Sequence, residues 1–182
     1  MSETGWKSPT VIIDDDSVGT TAWSNPDNAK ASDDSYATSG SLDGVVSSHY
    51  LKATNFEFSI PKGSTINGVE VKIEQKYAGT PSTGDIKVKL VKGGVIVGDV
   101  SDIESISNVD DFATLGSSTD LWGATLTSTD INSSGFGCVY YIDNADGGFI
   151  IDIDHIQIKV YYTESGTPTV GTKYPLPPFK IT

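Results

Sequence analysis

Acidic side chains on polar stretches are the first residues in this chain that could do chemistry. Asp14-Asp15-Asp16 and Asp33-Asp34 offer the hard carboxylate oxygens that a calcium ion takes. Neither run has the D-x-[DN]-x-[DN]-G spacing of a calcium loop, and Asp143-Asn144-Ala145-Asp146-Gly147 misses it too. Aspartates in such settings more often close Asx turns, so no metal and no cofactor is expected. Asp154 and His155 would supply two members of a nucleophilic triad, yet no G-x-S-x-G elbow presents a serine to them. On a strand, Asp152 and Asp154 share a side and His155 opposes them, unless a bulge intervenes. Glu70 and Glu74 recur with the same facing, as the paired carboxylates of a glycosidase would, but they alternate with Lys72 and read as a solvated strand face with cross-charge pairing. Trp6, Trp23, Trp122 and the tyrosines can stack on sugar rings where exposed, or anchor loops in a core where buried. His49 reads as a surface or edge residue and Cys138 as a buried thiol. Asn132-Ser133-Ser134 matches a glycosylation sequon. No catalytic residue is expected, and the chain is not expected to be an enzyme.

Composition removes further classes. The 182 residues carry 12 basic groups, all lysine, against 24 acidic ones, a net charge of −12. Phosphate backbones are bound by clustered cations, Arg above all, so nucleic acid is not an expected partner. A single Cys excludes an internal disulfide and multi-Cys metal sites. No apolar run approaches the roughly 20 residues of a membrane-spanning helix, so no membrane partner is expected either. The start, Met1 to Lys7, has no basic region followed by an apolar stretch, and a secretory signal is not expected. The Ser, Thr, Gly, Asp and Tyr content is nonetheless that of an extracellular β protein. Removal of a leader, export by a leaderless route, or a virion component assembled in the host cytoplasm and released by lysis would each reconcile the two, and the last needs the fewest assumptions.

The elements that must hold these residues follow a period of two. Phe56 to Ile60 alternates until Pro61-Lys62-Gly63. Asn67-Gly68 then reads as a turn into Val69 to Glu74, with Val69, Val71 and Ile73 on one face and three charges on the other. Ile86 to Leu90 repeats the scheme, and Gly93-Gly94 is a hairpin turn into Val95 to Val97. Phe136, Cys138, Tyr140 and Ile142 form another set. The longest run, Phe149 to Tyr162, slips its phase between Ile153 and Ile156, which is what a β-bulge produces. Thr10 to Ile13 and the region from Val45 to Leu51 are weaker strands. Helical spacing is nearly absent, with a short turn opening at Ser128 to Ile131, capped by Ser128 or Asp130. Asp14 to Gly44 and Asp99 to Leu126 read as long irregular loops pinned by Trp23, Tyr36, Phe112, Leu115, Leu121 and Trp122. The expected fold is all-β: an antiparallel, jelly-roll-like β-sandwich of about eight strands, with long loops and an extended C-terminal arm. The expected divisions are an N-terminal extension (1–9), the sandwich (10–162) and a Pro-rich arm (163–182). In that arm Tyr174, Leu176, Pro177, Phe179 and Ile181 are the candidate interface residues, because large apolar side chains on stiff proline-rich chain dock with little entropy loss.

A resemblance covers roughly 11–162. Trp23-Ser24-Asn25-Pro26, Asp34-Ser35-Tyr36-Ala37-Thr38, Leu51 and the run Phe56 to Ile73 are similar to a β-sandwich module of phage structural proteins. Trp122-Gly123, Asp130-Ile131, Phe136-Gly137 and Asp154 to Tyr162 resemble its closing segments. The resemblance implies a structural virion component: a capsid decoration or cement protein that contacts the major capsid protein, or alternatively a fibre or tail subunit or adhesin module that binds a host-surface glycan. It transfers no metal or catalytic signature. Surface proteins of particles repeat symmetrically, so a homo-oligomer is expected, a trimer being one such order.

Overall fold

A computed structural model describes residues 1–44, 46–78, 84–143, 145, 148 and 150–165. The candidate interface residues Tyr174, Leu176, Pro177, Phe179 and Ile181 lie outside the described residues. Eleven strands run in chain order: β1 (Ser2–Glu3), β2 (Val11–Asp15), β3 (Trp23–Ser24), β4 (Ala37–Ser39), β5 (Tyr50–Thr54), β6 (Thr65–Ala78), β7 (Asp85–Lys92), β8 (Val95–Ile103), β9 (Asp111–Gly116), β10 (Gly137–Asp143) and β11 (Ile150–Thr163). Among the described residues one helix, α1 (Ser128–Ile131), interrupts them, and a 3-10 turn covers Pro26–Ala29. All strand pairs are antiparallel and form two sheets. The first, sheet A, is ordered β3-β4-β11-β6-β9, with β1 also on β11; the second, sheet B, is ordered β2-β5-β10-β7-β8. The expected β-sandwich is therefore observed, and three of the strands beyond the expected eight are two- or three-residue segments.

The alternating residues explain the layering. Val69, Val71 and Ile73 of β6 and Ile151, Ile153, Ile156, Ile158 and Val160 of β11 are buried in one cluster with Leu51, Ile86, Val88, Leu90, Cys138, Tyr140 and Ile142 of sheet B. Each such aliphatic chain contributes about 1.5–3 kcal/mol when fully buried. Tyr140 Oη donates to Gln75 Oε1 at 2.8 Å, joining the two sheets through a polar bond inside the core. Burial pushes the Cys138 thiol up to about 12, so it is an inert filler of that core.

Several expectations meet a different outcome. The run from Phe56 to Ile60 alternates buried and exposed side chains, yet joins no ladder. Asn55 and Glu57 both take left-handed backbone angles, and Asn132 holds Ile60 by its backbone N–H and C=O, each at 2.8 Å. That double bond is how Asn132 of the sequon is used. Asn67-Gly68 is no turn, since β6 runs straight through it; Gly68 is needed because a Cβ there would strike the backbone of Ser117 and Ser118. The loop expected over 99–126 holds the end of β8 and all of β9. The 14–44 loop contains β3, β4 and the 3-10 turn. Residues 1–9, set apart as an extension by sequence, lie along β11: Ser2 pairs with Tyr162, and Lys7 and Ile158 exchange backbone hydrogen bonds at 2.9 Å. At α1 the cap is Thr127, closing a capping box with Asp130. Gly93 and Gly94 do turn the β7–β8 hairpin, with φ of 58° and 84°.

Candidate functional site

The phase slip in β11 organises one face of the molecule. Register on β6 shifts between Ile153 and His155, leaving Asp154 as the bulged residue. Its carboxylate is buried and accepts the backbone N–H groups of Asp33 and Asp34 at 3.2 and 3.3 Å. Asp33 and Asp34 are thereby loop residues folded onto β11, and their side chains accept from Ser35 N–H and Tyr36 Oη. The loop they belong to places Tyr36, which donates to Asp110 at 2.9 Å and lies under the Lys76 ammonium, 3.6 Å from its ring centroid. The bulge also separates Asp154 from His155. His155 meets Ser8, Nε2 to Oγ at 2.8 Å, and burial holds its pKa below the usual 6.5, against the smaller opposing charge of Asp154.

Beyond the bulge, the outward side chains of β11 stand beside those of β6: His155 opposite Glu74, Gln157 opposite Lys72, Lys159 opposite Glu70. On the other side β9 sets Phe112 opposite Glu74 and Thr114 opposite Lys72. Lys72 Nζ lies over Trp6 at 4.7 Å and Phe112 at 4.9 Å, and Lys159 Nζ over Trp6 at 4.5 Å and Tyr161 at 5.0 Å. Four aromatic rings and three ammonium groups thus share the outer face of sheet A, an arrangement favourable through the ring quadrupole. Phe112, 49% exposed, is the ring most open to solvent. It also lines a cleft of about 400 Å³ along the open side of the sandwich, between the β8 end and β9. That cleft has Ile103, Ile106 and Leu115 among its apolar walls and carries the carboxylates of Asp102, Glu104 and Asp111.

The other sequence candidates are dispersed. Trp23 and Trp122 are 4% and 3% exposed, with their Nε1–H groups donating to His49 O and Val69 O. They are core anchors and cannot stack on a sugar; of the three tryptophans only Trp6 reaches a working face. Asp14 accepts from Trp23 N–H and pairs with His49 at 2.9 Å. Asp15 accepts from Ser17 and pairs with Lys52 at 2.9 Å, which together hold its carboxyl at about 2. Asp14 and Asp15 are each spent on their own partners rather than aimed at a shared centre. Glu70 is tied to Lys159 at 2.7 Å and accepts from Tyr161 Oη. Glu74, by contrast, is 9% exposed and its Oε2 has no hydrogen-bond partner. Sequence reasoning passed over this face because each charge on it looks solvated in one dimension; only the register brings Trp6 and Phe112 to Lys72.

No known protein family matches the chain, and no curated protein matches it. Among solved structures it is similar to the CBM22-1 xylan-binding domain of Xyn10C from Paenibacillus barcinonensis, at 12% identity over 88% of both chains with a TM-score of 0.39. It is also similar to the enzymatically active domain of tailspike protein 4 from bacteriophage CBA120, at 13% identity and a TM-score of 0.42, spanning 88% of this chain and 20% of that one. Both are likenesses of β architecture, too distant to transfer a ligand or an activity.

Proposed function

We propose that this chain is a non-catalytic, carbohydrate-binding attachment module of a phage-like fibre or tail, working on a host-surface glycan. The observation that carries it is the outer face of sheet A, where Trp6, Tyr36, Phe112 and Tyr161 are gathered among hydrogen-bonding charges. Sugar rings present apolar C–H faces and polar edges, and a sheet surface mixing rings with charged donors and acceptors complements both. Binding without turnover fits the carboxylates. Glu70 and Glu74 are four residues apart on one strand, so their Cα atoms stand about 13 Å apart, and Glu70 is already neutralised by Lys159. Glycosidase pairs need roughly 5–10 Å. A glycan array read with the whole chain, then repeated with Trp6→Ala and Phe112→Ala, tests the proposal: a hit that both substitutions weaken supports it, and an array with no hits removes it.

A second reading is a capsid decoration protein held by subunit contacts with its own copies and the major capsid protein. It is favoured by the outer face of sheet B, where Val11 and Ile13 on edge strand β2 are 42% and 46% exposed. Removal of 171–182, which carries Tyr174 to Ile181, and Ile13→Asp are then expected to impair particle binding, measured by co-sedimentation with particles, while glycan binding persists.

A further inference from the structure

Two opposite charges on the sheet A face lack the partner that their neighbours have. Lys76 reaches Asp110 at 3.3 Å and Lys159 reaches Glu70 at 2.7 Å. Lys72, outward on β6 between Lys76 and the Glu70 that Lys159 takes, has two rings beneath its ammonium and, among the described residues, no carboxylate within ion-pair distance. Glu74, the next outward residue, is recessed between Phe112 and His155 with Oε2 unbonded. A recessed carboxylate oxygen without a donor is destabilising, and among the described residues no donor meets Oε2. Such a cost persists where a site is shaped for an incoming group.

We propose that Lys72 and Glu74 form a fork for the adjacent hydroxyls of a neutral pyranose stacked on Phe112; this rests on the glycan-binding reading and names its chemistry. One hydroxyl donates into the Glu74 carboxylate and its neighbour accepts from the Lys72 ammonium. Residues i and i+2 of a strand are about 7 Å apart, a span that two neighbouring hydroxyls fill with a hydrogen bond of about 2.8 Å at each end. Lys72 is the movable member. A sugar that takes the exposed side of Phe112 competes for the ring, and the ammonium swings toward the hydroxyls, closing the Glu74 recess from above. Gln157, opposite Lys72, offers a further amide at the rim. The class of sugar follows from charge: Glu70 and Asp110 are balanced by Lys159 and Lys76, which leaves Glu74 and Asp152 against the one unpaired lysine, so a uronate carboxylate would meet net repulsion.

Calorimetric titration of the whole chain with xylo-, cello- and mannohexaose, and with an oligogalacturonate of equal length, tests this. At least one neutral hexaose is expected to bind, and the uronate tenfold or more weakly. Glu74→Leu is expected to lose tenfold or more in affinity while its melting temperature stays level or rises, and Lys72→Met to lose a similar factor with the lysine stem kept. Should Glu74→Leu fail to fold by circular dichroism, an acid at 74 is a structural need and the fork is overturned. If Phe112→Ala abolishes binding while Lys72→Met and Glu74→Leu bind as the parent does, the aromatic face stands and the fork falls. If the uronate binds best, the neutral-diol chemistry falls alone. If no saccharide binds the parent chain, both go.

Discussion

The two outer faces of the sandwich use the same residue types to opposite ends. On sheet B, Lys52 pairs with Asp15, Lys87 with Asp143 and Asp85, and Lys92 with Asp130. Its outward tyrosines, Tyr50 and Tyr141, pack on each other edge to face, 5.0 Å apart. On sheet A the lysines lie over rings, the rings are spread along the surface, and Lys72 and Glu74 are left for something else. Lys89 on β7 aside, the charges and rings of the sheet B face satisfy one another, and it is largely finished as a surface. A face whose rings are shared with cations, and whose recessed acid has no donor, is the one where the proposed ligand would exchange those contacts. Solvation alone would have favoured the first arrangement on both sides.

The faces share one core, so the largest effect is expected from a change that takes both away. Trp122 packs at the end of β9 and bonds Val69 O of β6; Trp122→Ala should cost about 3–5 kcal/mol in urea denaturation, and a loss below 1 kcal/mol would remove its anchoring role. Asp154→Asn should cost about 2 kcal/mol, since a charged acceptor of two amides becomes a neutral one. That variant is expected to separate the faces, weakening glycan binding through the Tyr36 loop while the near-ultraviolet dichroism of the Tyr50–Tyr141 pair stays unchanged. Phe112→Ala should reduce glycan affinity at least tenfold, about 1.4 kcal/mol, whereas Tyr141→Ala leaves it alone; equal losses would collapse the distinction between the faces.

Acid should touch them in different ranges. The folded pKa of Asp15 on sheet B is depressed to about 2 from 3.8, so its contribution is complete above pH 4 and is lost as the pH falls toward 2. The Lys52→Met variant should flatten that limb of the stability curve, though only modestly because the pair is partly solvated. The folded pKa of His155 beside sheet A lies below 6.5, so its neutral form favours the fold above that pH, and stability declines as acidification begins to charge the unfolded chain first. A small decline from pH 7 to 5 that His155→Gln abolishes is the expected result of thermal melts across that range.

Where a local pattern coincides with a backbone event, the amino-acid order shows it. The slipped phase after Ile153 is the Asp154 bulge, and Gly93-Gly94 is the β7–β8 turn because both residues need positive φ. Where the pattern records burial alone, it misleads. Phe56 to Ile60 alternates in and out of the core on a segment that joins no strand among the described residues. Conversely, β9 is a real strand whose Ala113 is small and whose Phe112 is exposed, so its alternation is faint in one dimension. Trp6, Trp23 and Trp122 are indistinguishable as sugar-stacking residues by type; burial sorts them, taking two into the interior.

The amino-acid order by itself determined that this chain builds stacked antiparallel sheets, because period-two burial of Val, Ile, Tyr and Leu leaves no other way to hide them while pairing the backbone. It also determined an acid surplus, 24 acidic side chains against 12 lysines with no arginine. Only the tertiary structure decided which face carries rings and which acid goes unpaired. Those depend on the register of β9 and β11 against β6 and on the N-terminal segment lying along β11, and cross-strand neighbours are set by long-range pairing that no local spacing encodes.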